Sequence, residues 1–148
     1  MHQFQELGTP TQTPQAYGAT SCVRWLTNPY EQYETLCFGT ALGYLVFWRQ
    51  DTRGKFSEFF IKRLGDGKEI LDITLDTPNK EYTRFAVGTL CGSIQIWKYD
   101  CNGLLNVLRS LSVGKTIPRK VAFDYHENIL RVFGFYDGCM YVETFSWI

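Results

Sequence analysis

Apolar and polar residues alternate along most of this chain with a period of two. In the run 44–48 (YLVFW) Leu45 and Phe47 fall on one side; in 93–97 (SIQIW) Ile94 and Ile96 do, and in 139–143 (CMYVE) Met140 and Val142 do. Successive side chains of an extended chain point to opposite faces, so this pattern predicts strands with one buried face. No stretch holds the 3.6-residue period of an amphipathic helix. A glycine stands just before each run (Gly43, Gly92, Gly138), and another stands four residues earlier (Gly39, Gly88, Gly134). The three phrases GTALGYLVFW, GTLCGSIQIW and GFYDGCMYVE therefore read alike, as a strand end, a tight turn that glycine permits, and the next strand.

The likeness extends outward from the turns. NPYEQYETLCFGT (28–40) and TPNKEYTRFAVGT (77–89) align Pro29 with Pro78 and Tyr33 with Tyr82, which points to a shared packing role for the two tyrosines. Apolar stretches precede them at 22–26 and 72–75, with a third at 120–123, and others follow at 59–64 and 106–111. Each unit is thus four short strands, repeating every 46 to 49 residues. An all-strand repeat of that length predicts a β-propeller built of four-stranded antiparallel blades.

At this point the sequence resembles the WD-repeat family across nearly its whole length. The resemblance is carried by Gly39-Thr40 and Gly88-Thr89 before the turns, by the turn glycines, and by Trp48 and Trp97 closing the third strand. It departs from the family pattern in lacking a Gly-His dipeptide and in following each tryptophan with Arg49 or Lys98 rather than Asp. Only Asp137 stands where the family has its turn aspartate; Leu42 and Cys91 hold that place in the other repeats. The resemblance implies that Trp48 and Trp97 pack between blades. It also implies that an N-terminal strand, residues 2–7, completes the last blade, with residues 8–18 crossing to the first. The expected organisation is one domain, 1–148, with blade 1 at about 20–65, blade 2 at about 69–114 and blade 3 at about 117–148 plus 2–7. Three blades do not close a ring, since propellers run from about four to eight. The expectation is a homodimer that reaches six blades. The alternatives are a fragment of a longer propeller or a half-propeller subunit paired with a different propeller-type chain.

Composition narrows the chemistry. Lys plus Arg and Asp plus Glu both number 15, so the chain lacks the net positive field that draws proteins onto nucleic acid. Small basic patches at 62–68 and 118–120 are diluted by acids, leaving weak nucleic-acid binding as a second alternative. No apolar run reaches the ~20 residues of a membrane helix, and 1–15 lacks a signal-peptide layout. Together these suggest a cytoplasmic or nuclear protein without a membrane partner. Five cysteines, odd in number and never spaced C-x-x-C, read as reduced thiols; with two histidines they assemble no evident metal set, and no cofactor is implied. Asp124, His126 and Glu127 read as solvated turn residues. Residues 65–68 (GDGK) lack the spacing of a phosphate loop, and no nucleophile elbow is present. The expectation is no enzyme but a protein-protein interaction scaffold, binding a protein or peptide through loops at one end of the propeller. Tyr17, Tyr136, Arg119 and Lys120, with Leu42 and Leu90 as apolar contacts, are the candidate binding residues.

Overall fold

The computed structural model of the chain describes residues 5, 11–26, 34–65, 67–76, 81–113, 117–123 and 129–146. Among these residues eleven strands follow a short 3-10 turn, Gln15–Tyr17. They are β1 (Thr20–Leu26), β2 (Thr35–Thr40), β3 (Tyr44–Gln50), β4 (Phe56–Arg63), β5 (Ile70–Leu75), β6 (Tyr82–Thr89), β7 (Ser93–Asp100), β8 (Leu105–Ser112), β9 (Ile117–Phe123), β10 (Ile129–Tyr136) and β11 (Cys139–Ser146). All pairings within the sheets are antiparallel and sequential, in the orders β1-β2-β3-β4, β5-β6-β7-β8 and β9-β10-β11. The first strands of the three sheets pack side by side, β1 against β5 and β5 against β9. The sheets converge there and fan outward, which is the radial order of a propeller. The fold class expected from the repeat is the one observed. The third sheet has three strands among the described residues; the strand expected at 2–7 lies outside them, apart from Gln5, which is exposed and not in a strand.

Each blade has a front face, turned to the next blade, and a rear face. The front of blade 1 (Cys37, Leu45, Phe47) shares one core with the rear of blade 2 (Ile73, Phe85, Val87, Trp97, Tyr99). The front of blade 2 (Ala86, Ile94, Ile96) shares a second core with the rear of blade 3 (Val121, Leu130, Val132). The first joint is aromatic: Trp97 stacks on Phe85 at 6.0 Å between centroids, and Phe47 and Phe60 close on it at 6.4 and 6.1 Å. Such ring pairs add about 0.5–1.5 kcal/mol each to simple burial. The second joint is aliphatic. Trp97 lies between blades, 1% exposed; Trp48, at the matching place on the rear of blade 1, meets Phe38 edge-on at 5.0 Å and is only half-buried.

The structure separates the roles of the repeated glycines. Gly43 is a turn glycine, with φ +84°, and a Cβ there would come within 2.8 Å of the Lys68 carbonyl oxygen and 2.9 Å of Gly67. Gly39 is a close-approach glycine: a Cβ would lie 2.7 Å from Ile70 Cβ on the next blade. Gly88 faces Val121 and Pro118 of blade 3 less closely, a Cβ there coming no nearer than 3.3 Å. Gly134 sits differently. Residues 41–43 and 90–92 join their strands, but Asp137-Gly138 alone joins β10 to β11, with φ of 50° and 75°. Asp-Gly suits that two-residue hairpin because both positions need positive φ. The shorter turn slides β10 by one residue, so Gly39 pairs with Leu45 and Gly88 with Ile94, while it is Phe135 that pairs with the matching Met140. A one-residue slip exchanges faces. Against β11, Phe135 thus takes the place that glycine holds in the other two blades, whereas against the inner strand it is Phe133, opposite Lys120, that stands where Gly39 and Gly88 do.

One carboxylate ties all three inner strands. Asp72 on β5, 5% exposed, accepts from Arg24 Nη2 of β1 at 3.1 Å and from the backbone N–H of Val121 on β9 at 2.9 Å. It also accepts from Thr74 Oγ1 at 3.0 Å. Replacing it with Ala leaves the buried Val121 N–H without its acceptor, at a cost of about 2–3 kcal/mol. Arg24→Ala takes away the counter-charge but leaves the carboxylate its Thr74 and Val121 donors, at a cost of about 1–2 kcal/mol. Chemical denaturation of both variants is expected to show this order; equal losses would mean that the ion pair, not the buried N–H, sets the cost.

Candidate functional site

The turns at one end of the blades join into a continuous ridge. Ala41 N donates to Ala19 O, and Leu42 lies over Gly18, where a Cβ would be 2.7 Å from Leu42 Cγ. The link from blade 1 to blade 2 runs against the same turn: Leu64 N donates to Gly43 O, and Arg63 Nε donates to Leu42 O. The next turn fastens to that link, Leu90 N donating to Glu69 O at 2.8 Å, and Val113 N repeats the pattern by donating to Gly92 O. Loops fixed on a rigid scaffold are where recognition concentrates. Leu42 and Leu90 stand outward from this ridge, 43% and 41% exposed.

Tyr17 joins the ridge by stacking on Tyr44 at 5.0 Å and 26°, while Arg63 covers the Tyr44 ring at 5.3 Å. Its hydroxyl donates to Glu58 Oε2 at 3.4 Å. Desolvation first, then the Glu58 carboxylate, lift the Tyr17 hydroxyl above the ordinary phenol range. Tyr17 is therefore half-committed to holding the segment before β1. The structure brings Tyr17, Leu42 and Leu90 onto one ridge. Tyr136, 39% exposed and tilted against Tyr141 at 5.9 Å, belongs to the corresponding turn of blade 3. Arg119 and Lys120, expected on a loop at one end of the propeller, instead lie exposed within β9, Lys120 paired with Phe133. Tyr44 and Arg63 were missed as a pair because they are 19 residues apart in sequence; the antiparallel pairing of β3 with β4 sets them opposite each other.

A second feature lies on the rear of blade 1. A recess of about 490 Å³ opens between residues 11–13 and the sheet, walled by Thr11, Thr20, Val23, Leu36, Phe38 and Trp48. Thr11 Oγ1 donates to Phe56 O at 3.4 Å, the one hydrogen bond described from residues 11–13 to the sheet.

Among the described residues no three His, Cys, Asp or Glu side chains come together as a metal set; Asp124, His126 and Glu127 lie outside them, as do Tyr33 and residues 114–116. Among those same residues no helix is long and apolar enough to cross a membrane. The thiols differ in setting. Burial raises Cys22 and lifts the fully buried Cys37 well above the ordinary thiol range, while Cys91, Cys101 and Cys139 are exposed.

No protein-family model matches the chain, and no curated protein matches it. Among solved structures it is similar to the periplasmic gluconolactonase PpgL of Pseudomonas aeruginosa, at 15% identity and a TM-score of 0.56. The match covers 93% of this chain and 42% of that one, so the chain spans less than half the length of its structural relative. The likeness concerns the fold, and it is of propeller type. It corrects one expectation from the sequence: catalysis was set aside for want of a recognisable motif, yet the architecture this chain shares is one on which an enzyme is built. The fold therefore gives no ground for excluding an enzyme.

The exposed Cys91 reports on the ridge. A maleimide at neutral pH is expected to label Cys91, Cys101 and Cys139 readily and Cys37 only after denaturant is added, as read by intact mass and peptide mapping. Fast labelling of Cys37 in the native protein would show that the first joint opens.

Proposed function

We propose that the chain is a WD-repeat-like segment of a β-propeller that serves as a protein-binding platform, its ridge of turns taking a protein or peptide partner. The observation that carries this reading is the ridge itself. Leu42 and Leu90 project from turns whose backbones are fastened to the links between blades, so a partner meets apolar contacts that lose little freedom on binding. Tyr17 flanks Leu42; Tyr136, Arg119 and Lys120 extend the surface toward blade 3. The faces at the two internal joints are committed to packing, which leaves the turns free to meet a partner. The span of 42% of the structural relative supports a place within a larger ring of blades.

The test is selection of binders from a displayed random-peptide library on the wild-type chain, followed by affinity measurement on variants. Leu42→Asp and Leu90→Asp together are expected to weaken the selected peptides by about tenfold or more, since buried anchors of this kind contribute about 2 kcal/mol each. Because both leucines are exposed, the melting temperature should hold. Unchanged affinity in the double variant would remove the ridge as the binding site.

A further inference from the structure

The ridge carries two cations that the fold does not neutralise. Along it the link from β4 to β5 runs between the turns 41–43 and 90–92 and touches both. A Cβ at Gly43 would lie 2.8 Å from Lys68 O, and one at Gly65 would lie 3.9 Å from Cys91 Sγ. Arg63 ends β4 where this link begins, Lys68 stands within it, and both are exposed. Neither makes an ion pair among the described residues, whereas Arg24 and Arg84 are each joined to an aspartate. Of the described acids close by in the chain, Glu58 takes the Tyr17 hydroxyl, and the half-buried Glu69 bonds to neither cation.

Arg63 is also held in place. Its Nε donates to Leu42 O at 3.1 Å, and its guanidinium lies 5.3 Å over the Tyr44 ring, on which Tyr17 stacks at 5.0 Å. The same side chain rests on Gly67, where a Cβ would come 2.7 Å from Arg63 Cζ. A free surface arginine loses rotamer entropy when it takes a ligand; these contacts have removed much of that freedom beforehand. With Nε spent on Leu42, the two Nη groups remain as donors, in the planar fork that matches a carboxylate. Because Nε is bonded to Leu42's own carbonyl, the cation and the exposed Leu42 side chain are fixed relative to each other.

We propose that the partner of the ridge is a peptide segment with an acidic side chain next to a large apolar one. The carboxylate seats on the Arg63 fork, Lys68 adds positive charge, and the apolar side chain meets Leu42. The inference rests on the platform reading above and names the chemistry that the platform selects. A fully exposed ion pair adds little. Here the partner's apolar residue shields the pair from water, where a charge-assisted bond to a carboxylate is at its strongest.

The test uses the displayed random-peptide library. The selected sequences are expected to share Asp or Glu beside a large apolar residue. A synthetic peptide of that kind and its Asn or Gln counterpart are then compared by calorimetry. On the wild-type chain the amide peptide is expected to bind about tenfold more weakly, the size of one bond to a charged group. On Arg63→Gln the acid peptide is expected to fall to the level of the amide peptide, whose own affinity holds. An equal fall in both peptides would mean that Arg63 only positions Leu42, and would overturn the inference. So would selected peptides without acids, or an acid peptide indifferent to Arg63→Gln. In either of those last two cases a loss of binding in the neutral variant Leu42→Ser with Leu90→Ser keeps the platform. Peptides that need Arg63 yet bind this double variant unchanged overturn the platform and, with it, the pairing of acid and apolar side chain. A library that yields no binder overturns both.

Discussion

The arrangement of blades turns on a single carboxylate, Asp72, held where three inner strands meet. A charge buried to this degree is costly unless it is hydrogen-bonded on every side, and here an arginine, a threonine hydroxyl and a backbone amide meet it from three directions. Its position sets more than stability. Arg24 approaches from blade 1 and the Val121 amide from blade 3, so the angles at both joints must satisfy the same two oxygens. Apolar packing alone would let neighbouring blades slide or rock within the tolerance of interdigitated side chains. A directional bond at the narrow end of the wedge removes that freedom, and the aromatic and aliphatic joints then pack outward from it.

Much of the fold could be read directly from the order of residues. Alternation at 44–48, 93–97 and 139–143 gave the third strand of each blade, and in blades 1 and 2 its buried side, because there the face meets a neighbouring sheet; in β11 Met140 and Val142, expected on a buried face, are exposed because no described sheet lies against them. What could not be read was register. Gly134 aligns with Gly39 and Gly88 by eye, yet the turn after it is one residue shorter, and only pairing reveals that phenylalanines hold the glycine's place, Phe135 against β11 and Phe133 against β9. The role of the glycine was equally hidden. A glycine before a turn suggests a need for positive φ, but Gly39 is there because Ile70 of another blade presses on it. That contact joins residues 31 apart and has no local signature.

Asp72 was invisible for a similar reason. In the run 72–75 it reads as the polar edge of a short strand, and nothing nearby in sequence shows that Arg24 and Val121 will converge on it. The candidate ridge was legible in part: loop residues Leu42 and Leu90 stood out because a large apolar side chain in a tight turn is unusual. Arg119 and Lys120 were expected on a loop through the family resemblance, whereas the strand runs on from Ile117 through Pro118 to Phe123. Proline is tolerated there because β9 is the inner edge of its sheet, where one side of the ladder has no partner strand within that sheet. The exclusion of catalysis failed on different grounds: the absence of a local motif says little when a site can be assembled from distant turns of a rigid ring.

The ridge and the blade faces are set at right angles in what they demand of the chain. Faces need volume matched across a joint; the ridge needs backbone held still. The links satisfy both at once, since the segment leaving β4 forms Leu64 N to Gly43 O on the blade it leaves and Glu69 O to Leu90 N on the blade it enters. Any rotation of blade 2 on blade 1 would bend the short link between these bonds and move Leu42 relative to Leu90. The spacing of the two outward leucines is therefore set by the packing of Phe47, Phe85 and Trp97 beneath them, and a binding surface made this way inherits its rigidity from an interior it never touches.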